Sequence, residues 1–291
     1  MMRTLTLIVL GVLVAGSAFA ARDLSRTGAG IYGTPDPGQT TVDRVTADVL
    51  IASSTNGGDF TNMALVWEPV LQGMGLTTTA IEDAAASPFT FPTPFTAAEY
   101  PTLLVLGNDN WFSNPEENIS LTDEANIEAY LLTGGTMLFI AQDYLYARGN
   151  ASGFPQIYLG VAAYTDDINA DDTDVAYTGV AGGPLDGLSG NLHAETGGVP
   201  CFESNPFFTD DIVPLMLGLA DYTSMPSNVS GQVGSTVDLG PVKVVFGTID
   251  FGCTSDATQF ARDAGALYDY VAGGAVPVED ASWGAVKNMY R

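Results

Sequence analysis

Gly134-Gly135-Thr136-Met137-Leu138-Phe139-Ile140-Ala141-Gln142-Asp143-Tyr144-Leu145-Tyr146 is the stretch that decides the fold class. Two glycines stop whatever precedes them, and Met137 to Ala141 is an unbroken apolar run of strand length. A run without alternation is the pattern of a strand covered on both faces, as in a parallel sheet. Polar Gln142 and Asp143 then break it. Upstream, Thr122 reads as the cap of a helix reaching Leu132, with Asp123 and Glu124 placed favourably against the positive end of the helix dipole. Helix, glycine stop and buried strand in succession are one αβ unit.

The same grammar repeats outward. Asp48 to Ala52 is a strand that ends in Ser53-Ser54-Thr55-Asn56-Gly57-Gly58-Asp59. Phe60, Met63, Trp67, Val70, Leu71 and Met74 follow at spacings of three and four, one face of a helix that Pro69 bends or shortens. Thr77 to Ile81 forms a second strand, and the proline-rich stretch around Phe91-Pro92-Thr93-Pro94 an irregular loop. Thr102 to Leu106 is a third strand, almost wholly apolar and hence central, which breaks into Asn108-Asp109-Asn110-Trp111. Residues 150–240 predict short antiparallel strands and long loops, including an alternating segment from Asp174 to Val180. Val242 to Phe246 is a further strand. The helix after Ser255 carries the stripe Ala257, Phe260, Ala261, Ala264, Leu267, Tyr268 and Val271, closed by Gly273-Gly274. Residues 46–274 therefore predict an α/β domain: a three-layer, doubly wound, mostly parallel sheet with a loop-rich insertion.

The ends read differently. Residues 1–20 have the build of a signal peptide, with Arg3, an apolar run from Leu5 to Val14 and Ala18-Phe19-Ala20 before the cleavage point. That run is too short to span a bilayer, which needs about 20 apolar residues. The expectation is a secreted protein, extracellular or at the cell surface, with no membrane insertion. Residues 21–45, rich in Gly, Thr and Pro, predict an extended arm; 275–291 form a tail that either sorts the protein or docks on its own domain.

A formal net charge of -25, with only two lysines, Lys243 and Lys287, excludes a nucleic-acid partner, since phosphate neutralisation needs clustered cations. Cys201 and Cys253 are the two cysteines. In an oxidising compartment a disulfide between them is expected, two unpaired thiols being the alternative. A single histidine, His193, leaves little for a zinc site.

Together, the strand before Asn56-Gly57-Gly58-Asp59, the helix leading into Gly134 to Tyr146, and Tyr158-Leu159-Gly160-Val161 resemble the class I glutamine amidotransferase-like, flavodoxin-like domains of secreted bacterial proteins. The resemblance implies a nucleophilic cysteine on the turn after such a strand, with His and Glu from further along. Gln142 and Asp143 occupy that turn here, so the thiol and imidazole needed for glutamine hydrolysis are missing. No catalytic residue is assigned.

Ligands of open α/β sheets sit beyond the carboxyl ends of the strands. The expected lining is Asn56, Asn108, Asp109, Trp111, Gln142, Asp143 and Asp250, amides and acids with one indole, suited to a neutral sugar or a cation or else merely capping the strands. Asp167, Asn169 and Asp171 alternate like the oxygen donors of a calcium loop, but Asp172 stands where the turn wants Gly and no Glu closes the loop. A weak calcium site and a solvated acidic loop are both consistent with that pattern; no other cofactor is expected. Three function classes follow: a non-catalytic binding or structural module with a protein or glycan partner, a secreted hydrolase working through strand-end carboxylates, and a self-assembling surface-layer or filament subunit.

Overall fold

The computed structural model describes residues 46–54, 63–83, 88–107, 119–141, 144–148, 153–165, 175–192, 210–215, 223–226, 231–238, 242–254 and 256–273, all within the unit Asp43–Arg291. Strands β1 (Val49–Ser54), β2 (Thr78–Asp83), β3 (Thr102–Gly107), β4 (Thr136–Ala141) and β11 (Lys243–Gly247) pair in parallel in the order β2-β1-β3-β4-β11. This is the flavodoxin-like order, with the connection reversing direction between β1 and β3. The expected α/β class is therefore observed.

Alternation along these strands builds two separate cores. Val49, Ile51, Leu104, Leu106, Leu138, Ile140 and Val245 face helix α1 (Ala64–Gly73) and helix α5 (Ala257–Ala272). Leu50, Ala52, Leu103, Val105, Met137, Phe139, Val244 and Phe246 face helix α2 (Leu121–Leu131) and the short helices α3 (Tyr144–Arg148) and α4 (Phe154–Tyr158). Three layers result, because a strand with apolar residues on both faces buries both only between two helical layers. Trp67 is fully buried in the first core, edge-on to Phe260 with ring centroids 5.0 Å apart. Complete burial of each such side chain contributes about 1.5–3 kcal/mol.

Sequence and structure differ in local details that have physical causes. Pro69 lies inside α1 and the helix runs on to Gly73. The cap of α2 is Ser120, two residues before Thr122: its hydroxyl accepts from the Asp123 N–H, and the Asp123 carboxylate accepts from the Ser120 N–H. The reciprocal pair satisfies two otherwise orphaned donors at once, which Thr122 has no partner to match. Asp256, whose carboxylate accepts from Thr258 and Gln259 N–H, caps α5.

The glycine pair at 134–135 has a double cause. Gly134 adopts φ +93°, in the left-handed region, and a Cβ on Gly135 would overlap the Tyr130 ring. That ring needs the space because it stacks on Phe95, which stacks on Phe91, at 4.7 and 4.2 Å between centroids. Its hydroxyl lies 2.8 and 2.9 Å from the carbonyl oxygens of Tyr100 and Pro101. The proline-rich loop is thus held by an aromatic stack in place of regular hydrogen bonding.

Between β4 and β11 the chain supplies antiparallel strands, as the short alternating segments suggested. β6 (Val175–Thr178), β7 (Ser189–Leu192), β9 (Thr223–Pro226) and β10 (Gly234–Asp238) extend the sheet beyond β11 to nine strands, ending at β7. β5 (Val161–Thr165) and β8 (Asp211–Pro214) pair separately.

Candidate functional site

At the carboxyl edge of the parallel strands, β11 runs into the turn Thr248 to Thr254, and Asp250 sits inside that turn. Its Oδ1 accepts from the Trp67 indole at 3.1 Å and from the Gly252 N–H at 2.8 Å. Glycine at 252 leaves room here: a Cβ would press on Met63, Val66 and the Asp250 carboxylate, at 2.9 to 3.1 Å. Asp250 is buried, and burial pushes its carboxyl up to about 6 against the opposing pull of the Gly252 and Trp67 hydrogen bonds. The side chain therefore faces inward, binding α1 to the β11 turn.

Asn56, Asn108, Asp109, Trp111, Gln142 and Asp143, which the sequence places at neighbouring strand ends, lie outside the described residues, as do Asp167, Asn169, Asp171, Cys201 and His193. Cys253 is buried two residues beyond Phe251 in the same turn. Among the described residues no group of three or more His, Cys, Asp or Glu is placed to hold a metal ion, and no described helix is long and apolar enough to cross a membrane.

A second polar cluster on this edge was invisible in the sequence. Arg148, at the end of α3, places Nε 3.0 Å from Glu124 Oε1, and both side chains are about 5% exposed. Tyr144 donates to the same oxygen at 2.9 Å, and Arg148 Nη2 donates to the Ile119 carbonyl at 2.7 Å. In the sequence Glu124 is an acid in a helix's first turn, which a dipole effect accounts for; the pairing with Arg148 spans elements and has no spacing signature. This network fixes α3 against the start of α2.

A third cluster secures β6 and β7 to α5. Tyr177 donates to Asp263, Arg262 reaches the Ser189 carbonyl at 2.8 Å, and Arg262 Nε bonds Asp263 at 2.8 Å. Burial pushes the Asp263 carboxyl up to about 8 despite the adjacent guanidinium. Phe251 packs edge-on against Tyr177 with centroids 5.3 Å apart, linking this cluster to the Asp250 turn.

No protein-family model matches the sequence, and no curated protein matches it. Among solved structures, the chain is similar to an exo-β-1,4-mannosidase from Opitutaceae bacterium strain TAV5, with TM-score 0.47 and 13% identity over 76% of this chain and 35% of the other. It is also similar to a ThuA-like protein from Parabacteroides merdae ATCC 43184, with TM-score 0.44 and 14% identity over 78% of this chain and 91% of that one. A third is the carbohydrate deacetylase Agd3, with TM-score 0.46 and 11% identity over 77% of this chain and 32% of the deacetylase. The chain thus spans about a third of the length of the mannosidase and the deacetylase.

Proposed function

We propose that this chain is an exported, non-catalytic binding or structural module of an extracellular or cell-surface assembly, built on an amidotransferase-like scaffold that lacks the thiol–imidazole pair. The observation that carries the reading is the fate of Asp250. The Asp250 carboxylate, at the end of β11, is spent on the Trp67 indole and the Gly252 amide, so it holds the turn in place of facing a substrate. Glu124 and Asp263 are spent likewise, on Arg148 and on Tyr177. Under this reading residues 1–20 are removed on export, and Cys201 pairs with the buried Cys253 to pin the 201 region to the β11 turn.

One observation favours the hydrolase reading instead: a buried carboxyl raised to about 6 suits a general acid. A single experiment separates the two. Purified mature protein and Asp250→Asn are assayed for hydrolysis of a panel of polysaccharides and peptides, and in parallel for binding to a glycan array and to extracellular proteins of the source cell. Binding without turnover, retained in Asp250→Asn, is the expected result. Turnover that Asp250→Asn abolishes while the fold persists would replace the proposal by the hydrolase.

A further inference from the structure

The amino-terminal edge of the sheet, opposite the Asp250 turn, carries a pocket of about 390 Å³. Three strand starts and one helix end make it. Thr102 and Thr136 open β3 and β4 as register partners, Lys243 opens β11, and α5, running against the strands, ends above them at Val271 to Gly273. Alternation turns all three strand residues to the α5 face, because their neighbours Leu103, Met137 and Val244 belong to the other core. Tyr268 of α5 completes the wall, and the Thr102 and Thr136 hydroxyls lie 3.2 Å apart. The volume lies near the lower end of the ~300–1,000 Å³ typical of small-molecule sites.

The wall chemistry selects the guest by elimination. An anion meets the Asp238 carboxylate, 3.7 Å from the Lys243 ammonium, the nearby carboxylates of Asp48 and Asp269, and the negative end of the α5 dipole. A cation meets Lys243 itself, whose ammonium sits 5.4 Å from the Tyr270 ring centre. A wholly apolar guest would strip water from the Thr136 hydroxyl and the Lys243 ammonium without replacing its hydrogen bonds. A neutral, hydroxyl-rich guest suits the wall: its hydroxyls exchange hydrogen bonds with Thr136 and Lys243, and its C–H faces rest on Ala97 and Pro101.

From this we infer that the amino-edge pocket binds a single neutral sugar unit of a glycan, away from the strand ends where this type of sheet ordinarily takes ligands. The inference deepens the binding reading and rests on it. The test is amide chemical-shift mapping of the mature protein titrated with methyl glycosides of glucose, galactose, mannose and N-acetylglucosamine, and with glucose 6-phosphate. Expected are saturable shifts for at least one neutral glycoside at Gly134, Thr136 and Val271 to Gly273. Ala272→Trp, an exposed position at the mouth, abolishes them, and Thr136→Val weakens the apparent Kd by about three- to tenfold through loss of one hydrogen bond. Shifts confined to Ser53, Gly107 and Phe251 to Thr254 would overturn this site while leaving a binding module. Shifts at neither edge with any glycoside would overturn it as well, leaving the array and protein-capture assays to judge the broader reading. Tighter binding of glucose 6-phosphate than of neutral glycosides would overturn the charge argument.

Discussion

The side-chain amide of Gln259 on α5 pairs reciprocally with the backbone of Asn191 on β7, accepting from its N–H at 3.2 Å and donating to its carbonyl at 2.9 Å. An amide side chain thus stands in for a tenth strand. Arg262, one turn along α5, takes the Ser189 carbonyl two residues back on the same strand edge. Bare strand edges invite pairing with other chains, and here a helix covers one.

Gln259→Leu is therefore expected to destabilise the fold by about 1 kcal/mol, since two solvent-reachable backbone groups exchange their partner for water. Urea unfolding measures the loss, and amide exchange at Asn191 should quicken locally. Gly190→Ala is expected to cost about as much by overpacking, because its Cβ would overlap the Tyr177 hydroxyl and the Gln259 amide.

Asp250 and Asp263 set a pH dependence of known sign. Both carboxyls are raised by burial, from 3.8 to about 6 and about 8, so the folded state holds its protons more tightly than the unfolded chain. The stability they confer is complete below pH ~3.8 and is lost as pH rises, through about 6 for Asp250 and about 8 for Asp263. These two groups should lower the melting temperature between pH 4 and 9. Scanning calorimetry across that range should show Asp250→Asn flattening the slope only up to about pH 6 and Asp263→Asn flattening it throughout, up to about pH 8.

The buried pair Glu124 and Arg148 makes a different prediction. Arg148→Met leaves the Glu124 carboxylate buried beside Tyr144 and should cost about 3–5 kcal/mol, as should Glu124→Leu alone. The double variant should recover much of that loss. A denaturation-based double-mutant cycle checks it, and additive losses would show that the pair does not act as a unit.

Ser120→Ala should cost about 1 kcal/mol by removing one half of the capping box. Asp123→Ala should cost more, because the fully buried Asp123 also accepts from the Phe89 N–H at 2.6 Å and so anchors the aromatic loop to α2. Thermal denaturation of the two variants should preserve that order.

Local pattern alone determined the parallel strands, the helices α1, α2 and α5, and that the sheet is covered on both faces, whereas the five-residue helices α3 and α4 are too short to show a stripe. The reason is that side-chain direction repeats every two residues in a strand and about every 3.6 in a helix, so Met137 to Ala141 and the stripe from Ala257 to Val271 announce themselves without reference to anything distant. Tertiary structure alone decided the partners: that Asp250 turns inward to Trp67, 183 residues away, that Glu124 meets Arg148, and that Gln259 covers the edge of β7. Those pairings depend on which elements the sheet order brings together, and no local spacing encodes a contact between groups that only the folded chain makes neighbours.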